Sequence, residues 1–366
     1  MTGLELTIRD LRTRAVLVPM ARPLATRIGS FEAAPLLLID LETEEGVTGH
    51  AYLFGYLRRG CAFMAAVLDY ILETTRGRTI APTDLYGTVT KSLTLAGHQG
   101  IATMAASGFD VACWDALAQA AGVPLVTLLG GTVQPVRAYN SNGLGLMSPE
   151  AAAAEARELV AEGNFGCVKV RVGRETLAED LAAVRAVRRA VGDDIVLPCD
   201  FNQGLTVMEA IARGRAFDHE DLHWIEEPIV YDDLDGCARI AREVATPIQI
   251  GENFYGPKAM AEAIAARAGD YMMPDLQRIG GVTGWLRAAA LAEAAGIEMS
   301  SHLFPEVSSH LLAVTPTRHW LEYVNWAAPI LAEPLKIEDG QALIPDRPGT
   351  GVAWNEDAVA KYALAL

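Results

Sequence analysis

From about residue 131 the chain settles into a rhythm of short apolar runs, each ending on a polar residue and each followed by an alanine-rich stretch of helical period. The runs are VRAYNS (136–141), CVKVR (167–171), IVLPCD (195–200), LHWIEE (222–227), PIQIGE (247–252), YMMPD (271–275), IEMSSH (297–302) and HWLEYV (319–324). From the second run on, their polar ends fall at 171, 200, 226, 252, 275 and 302, separated by 29, 26, 26, 23 and 27 residues. An interval of that size holds one strand, one helix and two short loops. Eight such strands alternating with helices predict a closed parallel barrel rather than an open two-layer sheet. The last interval, His302 to Glu322, is only 20 residues, so the final helix should be short or irregular.

Residues 1–130 follow another pattern. LLLIDLETEEGVTGHAYL (36–53) predicts two strands joined at Glu45-Gly46. GFDVACWDALAQAAGVPLVTLLGG (108–131) predicts a helix closed by Gly122 and Pro124 and then a short second one. Strands first and helices after suggest a separate α+β unit. The expected organisation is therefore an α+β unit over 1–130, an α/β barrel over 131–322, and a Pro- and Gly-containing tail, 323–366, that returns to the first unit.

Composition narrows the class. With 366 residues, 51% of them hydrophobic, the chain can bury a large core in more than one domain. A net charge of −16 argues against nucleic acid or an anionic membrane as the main partner. Five scattered cysteines with no C-x-x-C pair fit a reduced cytoplasmic setting better than disulfides or zinc. No secretory pattern and no uncharged 18-residue apolar run is found, so export and membrane spanning are not expected.

Active sites of barrels assemble at the C-terminal strand ends. Here those ends carry Lys169 and Arg171, then Asp200, Glu226, Glu252, Asp275, His302 and Glu322. Any one carboxylate could cap a helix or pair with an arginine. Three on successive strands, Asp200, Glu226 and Glu252, cannot all stay ionised on one rim without a cation, and hard oxygen donors suit Mg²⁺. Asp275 ends the strand before His302; a carboxylate beside an imidazole fixes its tautomer and raises its basicity, which makes a general base. In FGCVKVRVG (165–173) Lys169 and Arg171 share one strand face, and two adjacent cations need an anion. Metal, base and cations together suit removal of a proton α to a carboxylate through an enediolate. Glu322, crowded by anions, is expected to stay protonated and donate to the developing oxyanion.

These residues resemble the enolase superfamily, in its mandelate racemase branch (mandelate racemase/muconate lactonizing enzyme family). The segments that carry the likeness include APLLLIDL (34–41), ACWDALAQ (112–119), WIEEP (224–228), GENFYGP (251–257), MPDLQRIGGVTGW (273–285) and MSSHLFPEVSSHLLAVTPTRHWLE (299–322). The resemblance implies a modified TIM barrel, (β/α)₇β, under an N-terminal α+β capping domain, with one Mg²⁺ per subunit. It casts Asp200, Glu226 and Glu252 as metal ligands, His302 with Asp275 as base, and Glu322 as electrophilic acid. Lys169 becomes the contact to the substrate carboxylate, and Asn202 and Ser141 polar groups of the pocket. Arg278 stands for a lysine. It also implies a homo-oligomer, an octamer being one form that could take.

The departure is Arg171, where the racemase pattern K-x-K has the lysine that serves as the second-face base. Arginine is almost never neutral and makes a poor base. Either Lys169, its pKa pushed down by Arg171 and Mg²⁺, takes over that face, or His302 works alone as base and acid and expels a β-hydroxyl. In PLATRIGSFEAAP (23–35), Leu24, Ile28 and Phe31 are expected to form an apolar lid, joined by Tyr52 and Phe54. That lining favours an aromatic 2-hydroxy acid; Arg27 argues for a second carboxylate or hydroxyls. The readings are thus an Mg²⁺-dependent racemase of a 2-hydroxy acid, an acid-sugar dehydratase, and a non-catalytic metal-containing barrel that binds a ligand. The positioned base speaks against the last. IGGVTG (279–284) lacks the G-K-[ST] ending of a phosphate loop.

Overall fold

The computed structural model describes residues 5–366. Two long strands, β1 (Ile8–Thr26) and β2 (Gly29–Thr43), pair antiparallel, and β3 (Thr48–Phe54) extends the sheet beyond β2 after a turn at Glu44–Val47. The β1–β2 register slips between Pro19 and Leu24, so the far end of the hairpin, with Leu24 opposite Phe31, projects away from the sheet. Helices α1 (Arg58–Thr75) and α3 (Ile101–Ala121) pack against this sheet, and α2 (Pro82–Ser92) packs on both of them. Gly122, at φ 69°, closes α3 in the left-handed conformation that costs a side chain-bearing residue most, and α4 (Leu125–Leu128) follows, in the order the pattern of 108–131 predicts. Helix α3 begins earlier than that pattern suggests, because its first turns are small residues with no periodic signal.

The barrel begins at β4 (Pro135–Asn140) and continues with α5 (Pro149–Ala161), β5 (Val170–Arg171), α6 (Leu177–Val191), β6 (Cys199–Asp200) and α7 (Val207–Phe217). Then come β7 (Ile225–Glu226), α8 (Leu234–Glu243), β8 (Ile248–Ile250), α9 (Pro257–Ala266) and β9 (Tyr271–Met272). After β9 come α10 (Leu276–Ile279), α11 (Gly281–Ala295), α12 (Pro305–Ala313) and β10 (Leu321–Tyr323). Strands β5 to β9 pair in parallel in chain order. Bridges from Met272 to Met299 and from Met299 to Arg318 carry the sheet round to β10, which pairs in parallel with β4; the bridge from Asn140 to Val168 closes the ring. The architecture is a (β/α)₇β barrel under an α+β cap.

Local chemistry sets the helix starts. Thr176 with Glu179 and Thr206 with Glu209 form capping boxes, each satisfying two backbone donors, and Pro stands in the first turn of α5, α9 and α12. Helix α12, between His302 and Glu322, has nine residues, as the short interval requires. Beyond β10, β11 (Lys336–Glu338) and β12 (Gln341–Leu343) form a hairpin that pairs through β12 with β4. After α13 (Glu356–Lys361), β13 (Ala363–Leu364) pairs with β1 of the cap. All five cysteines are free and buried. No helix among the described residues is long and apolar enough to cross a membrane.

Candidate active site

A cavity opens at the C-terminal ends of the barrel strands, beneath the projecting β1–β2 hairpin. Its floor is polar: Lys169, Arg171, Asp200, Glu252, His302 and Glu322 all line it. Its outer wall is apolar and aromatic, made by Leu24, Ile28, Phe31, Phe54, Tyr56 and Trp326. Phe54 packs against Phe31, Tyr56 and Trp326 with ring centroids 6.4, 4.5 and 5.3 Å apart.

His302 is held from two directions. Its Nδ1 lies 2.6 Å from Asp275 Oδ2, while Asp275 Oδ1 accepts from the backbone N–H of Gln277 and Arg278 at the start of α10. Asp275 Oδ2 accepts the Nδ1–H hydrogen bond, which leaves Nε2 facing Glu252 Oε2 at 3.2 Å and Glu322 Oε2 at 3.9 Å. Burial alone would lower this imidazole, but Glu252, Glu322 and Asp275 lift it to about 9.

Lys169 occupies the other side of Glu322. Its ammonium lies 2.9 Å from Glu322 Oε1 and 3.3 Å from Asp200 Oδ2, and it contacts Glu226. Burial opposes its charge, yet Glu226, Glu322 and Asp200 outweigh that and raise its pKa above the ordinary lysine value. The expected depression by Arg171 is present but minor beside three carboxylates. Glu322 also differs from expectation. It accepts from Lys169, from Ser141 Oγ at 2.7 Å and from the Leu303 N–H at 2.9 Å; despite burial, Lys169 and His302 hold it below the usual carboxylate range, so it is ionised here.

One ammonium does not neutralise this rim. Burial, then Asp200 and Glu322, push Glu226 up despite Lys169; burial and Glu252 raise Glu227 as well. Glu227 Oε2 is buried without a partner, as is Asn202 Oδ1. Six carboxylates (Asp200, Glu226, Glu227, Glu252, Asp275, Glu322) face the three fixed cations Lys169, Arg171 and Arg278. Among the described residues no three side chains converge into a ready metal cage, because Lys169 stands between Asp200 and Glu226 and His302 engages Glu252. The surplus of hard oxygen donors, with one carboxylate oxygen orphaned, nevertheless fits a divalent cation.

The remaining expectations divide. Leu24, Ile28, Phe31 and Asn202 line the cavity. Ser141 sits under it, bridging Glu322 and Arg171. Arg27 does not reach it: from the exposed hairpin tip its guanidinium turns outward and donates to the carbonyls of Gly173 and Arg174. Tyr52 is also absent from the wall; two residues before Phe54 on the same strand face, it lies deeper, and its hydroxyl is taken by Glu306. Arg171 lines the cavity, but its terminal nitrogens are bound by Gly143 O at 2.6 Å, Ser141 O at 3.3 Å and Ser141 Oγ at 3.2 Å. Tyr56, Gln203, Asn253 and Trp326 were not singled out in the sequence. Tyr56 follows the AYLF strand and could have been found from it; Trp326 lies in an irregular tail that carries no periodic signal. A second, more apolar cavity between α2, α3 and the start of α9 contains Asp110, whose carboxylate is already engaged by Thr283.

Residues 8–130 match the family model for the mandelate racemase / muconate lactonizing enzyme N-terminal domain, and residues 151–358 match the enolase C-terminal domain-like model. Among solved structures, an enolase from an alpha proteobacterium (bal199) with bound Mg is 50% identical, with TM-score 0.96 over 98% of this chain and 99% of its own. An enolase from Bradyrhizobium, complexed with magnesium and mandelic acid, is 43% identical, with TM-score 0.95 over the whole of both chains. The L-talarate/galactarate dehydratase of Salmonella typhimurium is 32% identical over 92% of this chain and 85% of its own length.

Proposed function

Because the chain belongs to the mandelate racemase / muconate lactonizing enzyme family of the enolase superfamily, we propose that it abstracts the proton α to the carboxylate of an aromatic 2-hydroxy acid and acts as a racemase. The observation that carries this reading is the His302–Asp275 pair, 2.6 Å apart, on the floor of a cavity whose outer wall is aromatic. Asp200, Glu226 and Glu252 would hold one Mg²⁺. When bound, that ion supplies positive charge against the second negative charge that develops on the substrate carboxylate.

His302 takes the α-proton at Nε2, since its Nδ1 is committed to Asp275. Asp275 keeps the ring oriented and stabilises the imidazolium that results. Lys169 owes its raised proton affinity to Glu226, Glu322 and Asp200. Were Asp200 and Glu226 to hold the ion, the Lys169 ammonium would be released to bind the substrate carboxylate. Proton transfer across the 2.9 Å Lys169–Glu322 bond would give Glu322 the acidic form that donates to a developing oxyanion. Lys169, two residues before Arg171, is then the group that exchanges a proton on that side, since the guanidinium cannot act as a base. A homo-oligomer belongs to the same reading, on the family resemblance.

The second reading is an acid-sugar dehydratase. Arg171 favours it, because a site with His302 as its one exchanging group returns the proton to a β-hydroxyl and releases water. The apolar wall and the outward turn of Arg27 weigh against it. A parallel assay with Mg²⁺ of mandelate-type acids and of aldarates, scoring loss of optical rotation and keto-acid formation, separates the two. Racemisation of the aryl acids without keto acid is the expected result; keto acid from aldarates alone would replace the first reading with the second.

A further inference from the structure

The turn that carries His302 into α12 is unusual. Leu303 and Phe304, neither of them glycine, both adopt φ 50° in the left-handed region. Such conformations persist only where surrounding contacts hold them. The Leu303 N–H that results donates to Glu322 Oε2 at 2.9 Å, so the shape of this turn places the groups on both sides of the base. From within the barrel, besides Glu322, the turn's backbone is held by two serines of α12: Ser308 Oγ donates to the Leu303 carbonyl and Ser309 Oγ to the Glu306 carbonyl. The turn is not tightly packed either: a small gap lies between Leu303, Phe304, Trp326 and the cap residues Leu36, Tyr52 and Phe54.

What spans that gap is Tyr52 of the capping sheet. Its ring lies 5.2 Å from Phe304, and its hydroxyl donates to Glu306 Oε2 at 2.5 Å in the first turn of α12. Both side chains are buried, at 8% and 6% exposure, and among the described residues no cation pairs with Glu306. A buried carboxyl with one hydrogen-bond donor is a demanding contact, and its loss leaves an unsatisfied group.

We propose that Tyr52 is a positioning residue of the active site: acting from the cap through Glu306, it holds the 302–306 turn so that His302 Nε2 and the Leu303 N–H keep their places around Glu322. The proposal rests on the α-proton reading for its consequence in catalysis, but not for its structural content. It also makes a complete cap a condition for a competent barrel site.

The test uses the full-length, Mg²⁺-loaded protein with Tyr52→Phe, Glu306→Leu and Glu306→Gln. The first two remove the bond from opposite sides; Gln retains an acceptor. The readout free of turnover is the downfield Nδ1–H proton resonance of His302, assigned by its disappearance in His302→Asn. It should shift or exchange-broaden in Tyr52→Phe and Glu306→Leu and stay in place in Glu306→Gln. With mandelate as substrate, kcat should fall about ten- to a hundredfold in the first two, with KM within about twofold. Glu306→Gln should stay within about threefold of the parent. An unmoved resonance in both bond-removing variants, with kcat unchanged or reduced only in step with lost folded protein, would overturn the proposal. Inactivity of the parent toward every 2-hydroxy acid, with the resonance still responding to Tyr52→Phe, would instead sink the α-proton reading and leave the positioning role standing.

Discussion

At position 171 a guanidinium stands where the racemase pattern has a lysine, and its bonds to Gly143 O, Ser141 O and Ser141 Oγ tie it to the loop after β4. A lysine there has one ammonium in place of a planar fork, so it gives up part of that tether and gains a proton that can leave. Arg171→Lys is therefore expected to raise mandelate racemisation by about tenfold over the parent, read by polarimetry. A gain confined to binding would mean that geometry, not proton affinity, limits this face. A second residue-scale prediction concerns stability. His310 is fully buried: Nδ1 accepts from the Val126 N–H and Nε2 donates to Thr350 O, so only the neutral ring satisfies both, and burial lowers its pKa from 6.5 to about 4. Below pH 6.5 the unfolded chain binds a proton that the folded one refuses, so this histidine makes stability fall as pH drops from 6.5 to about 4. His310→Gln should flatten that slope by up to ~1.4 kcal/mol per pH unit, measured by urea denaturation. Residue identities at the strand ends were legible because the barrel forces them onto one rim. Orientation was not: Arg27 and Tyr52 lie in the right segments, but one points outward and the other stops short at Glu306.

At the scale of elements, the apolar runs overstate the regular strands. Six of the eight predicted strands contribute only two or three residues to regular pairing, and 297–302 joins only through single bridges. Arg171, Asp200 and Glu226 end their strands as predicted, whereas Glu252 and Asp275 lie two and three residues past the ends of β8 and β9, in the turns that follow. Those turns are strained in a recurring way, with Asn202 and Gln203 after Asp200, Glu227 after Glu226, and Leu303 and Phe304 after His302 all at positive φ. A hydrophobic pattern has no term for backbone handedness, so this was invisible in the sequence. The lid hairpin was legible as PLATRIGSFEAAP, while the reason it seats was not. Gly145 lies against the backbone of Ala25, and a Cβ there would come within 2.8 Å of its carbonyl oxygen and 2.9 Å of its nitrogen. Gly145→Ala should lift the hairpin and raise KM for an aryl acid about tenfold, ~1.4 kcal/mol of binding, with little change in kcat. An unchanged KM would show that the hairpin does not seat the ring.

In the whole molecule the cap and barrel are joined at several points: Asp110 and Trp114 of α3 both bond Thr283 of α11, Tyr52 bonds Glu306, and β13 returns to pair with β1. Strand–helix spacing predicted a parallel barrel and the family resemblance its capped (β/α)₇β form, but these joints pair residues far apart in sequence, and no local pattern announces them. The carboxylate surplus is likewise a property of the assembled rim. It predicts that Mg²⁺ raises the melting temperature of the metal-free protein by a few degrees and that Asp200→Asn loses most of that rise, since a cation that binds only the folded state stabilises it. A rise of equal size in Asp200→Asn would place the ion elsewhere. The central claim is that the imidazole beside Asp275 takes a proton from carbon. Proton NMR of each mandelate enantiomer in D₂O with Mg²⁺ tests it most directly: the parent should exchange the α-proton of at least one enantiomer and His302→Asn should stop the exchange on that face, whereas exchange that persists in His302→Asn would contradict the account.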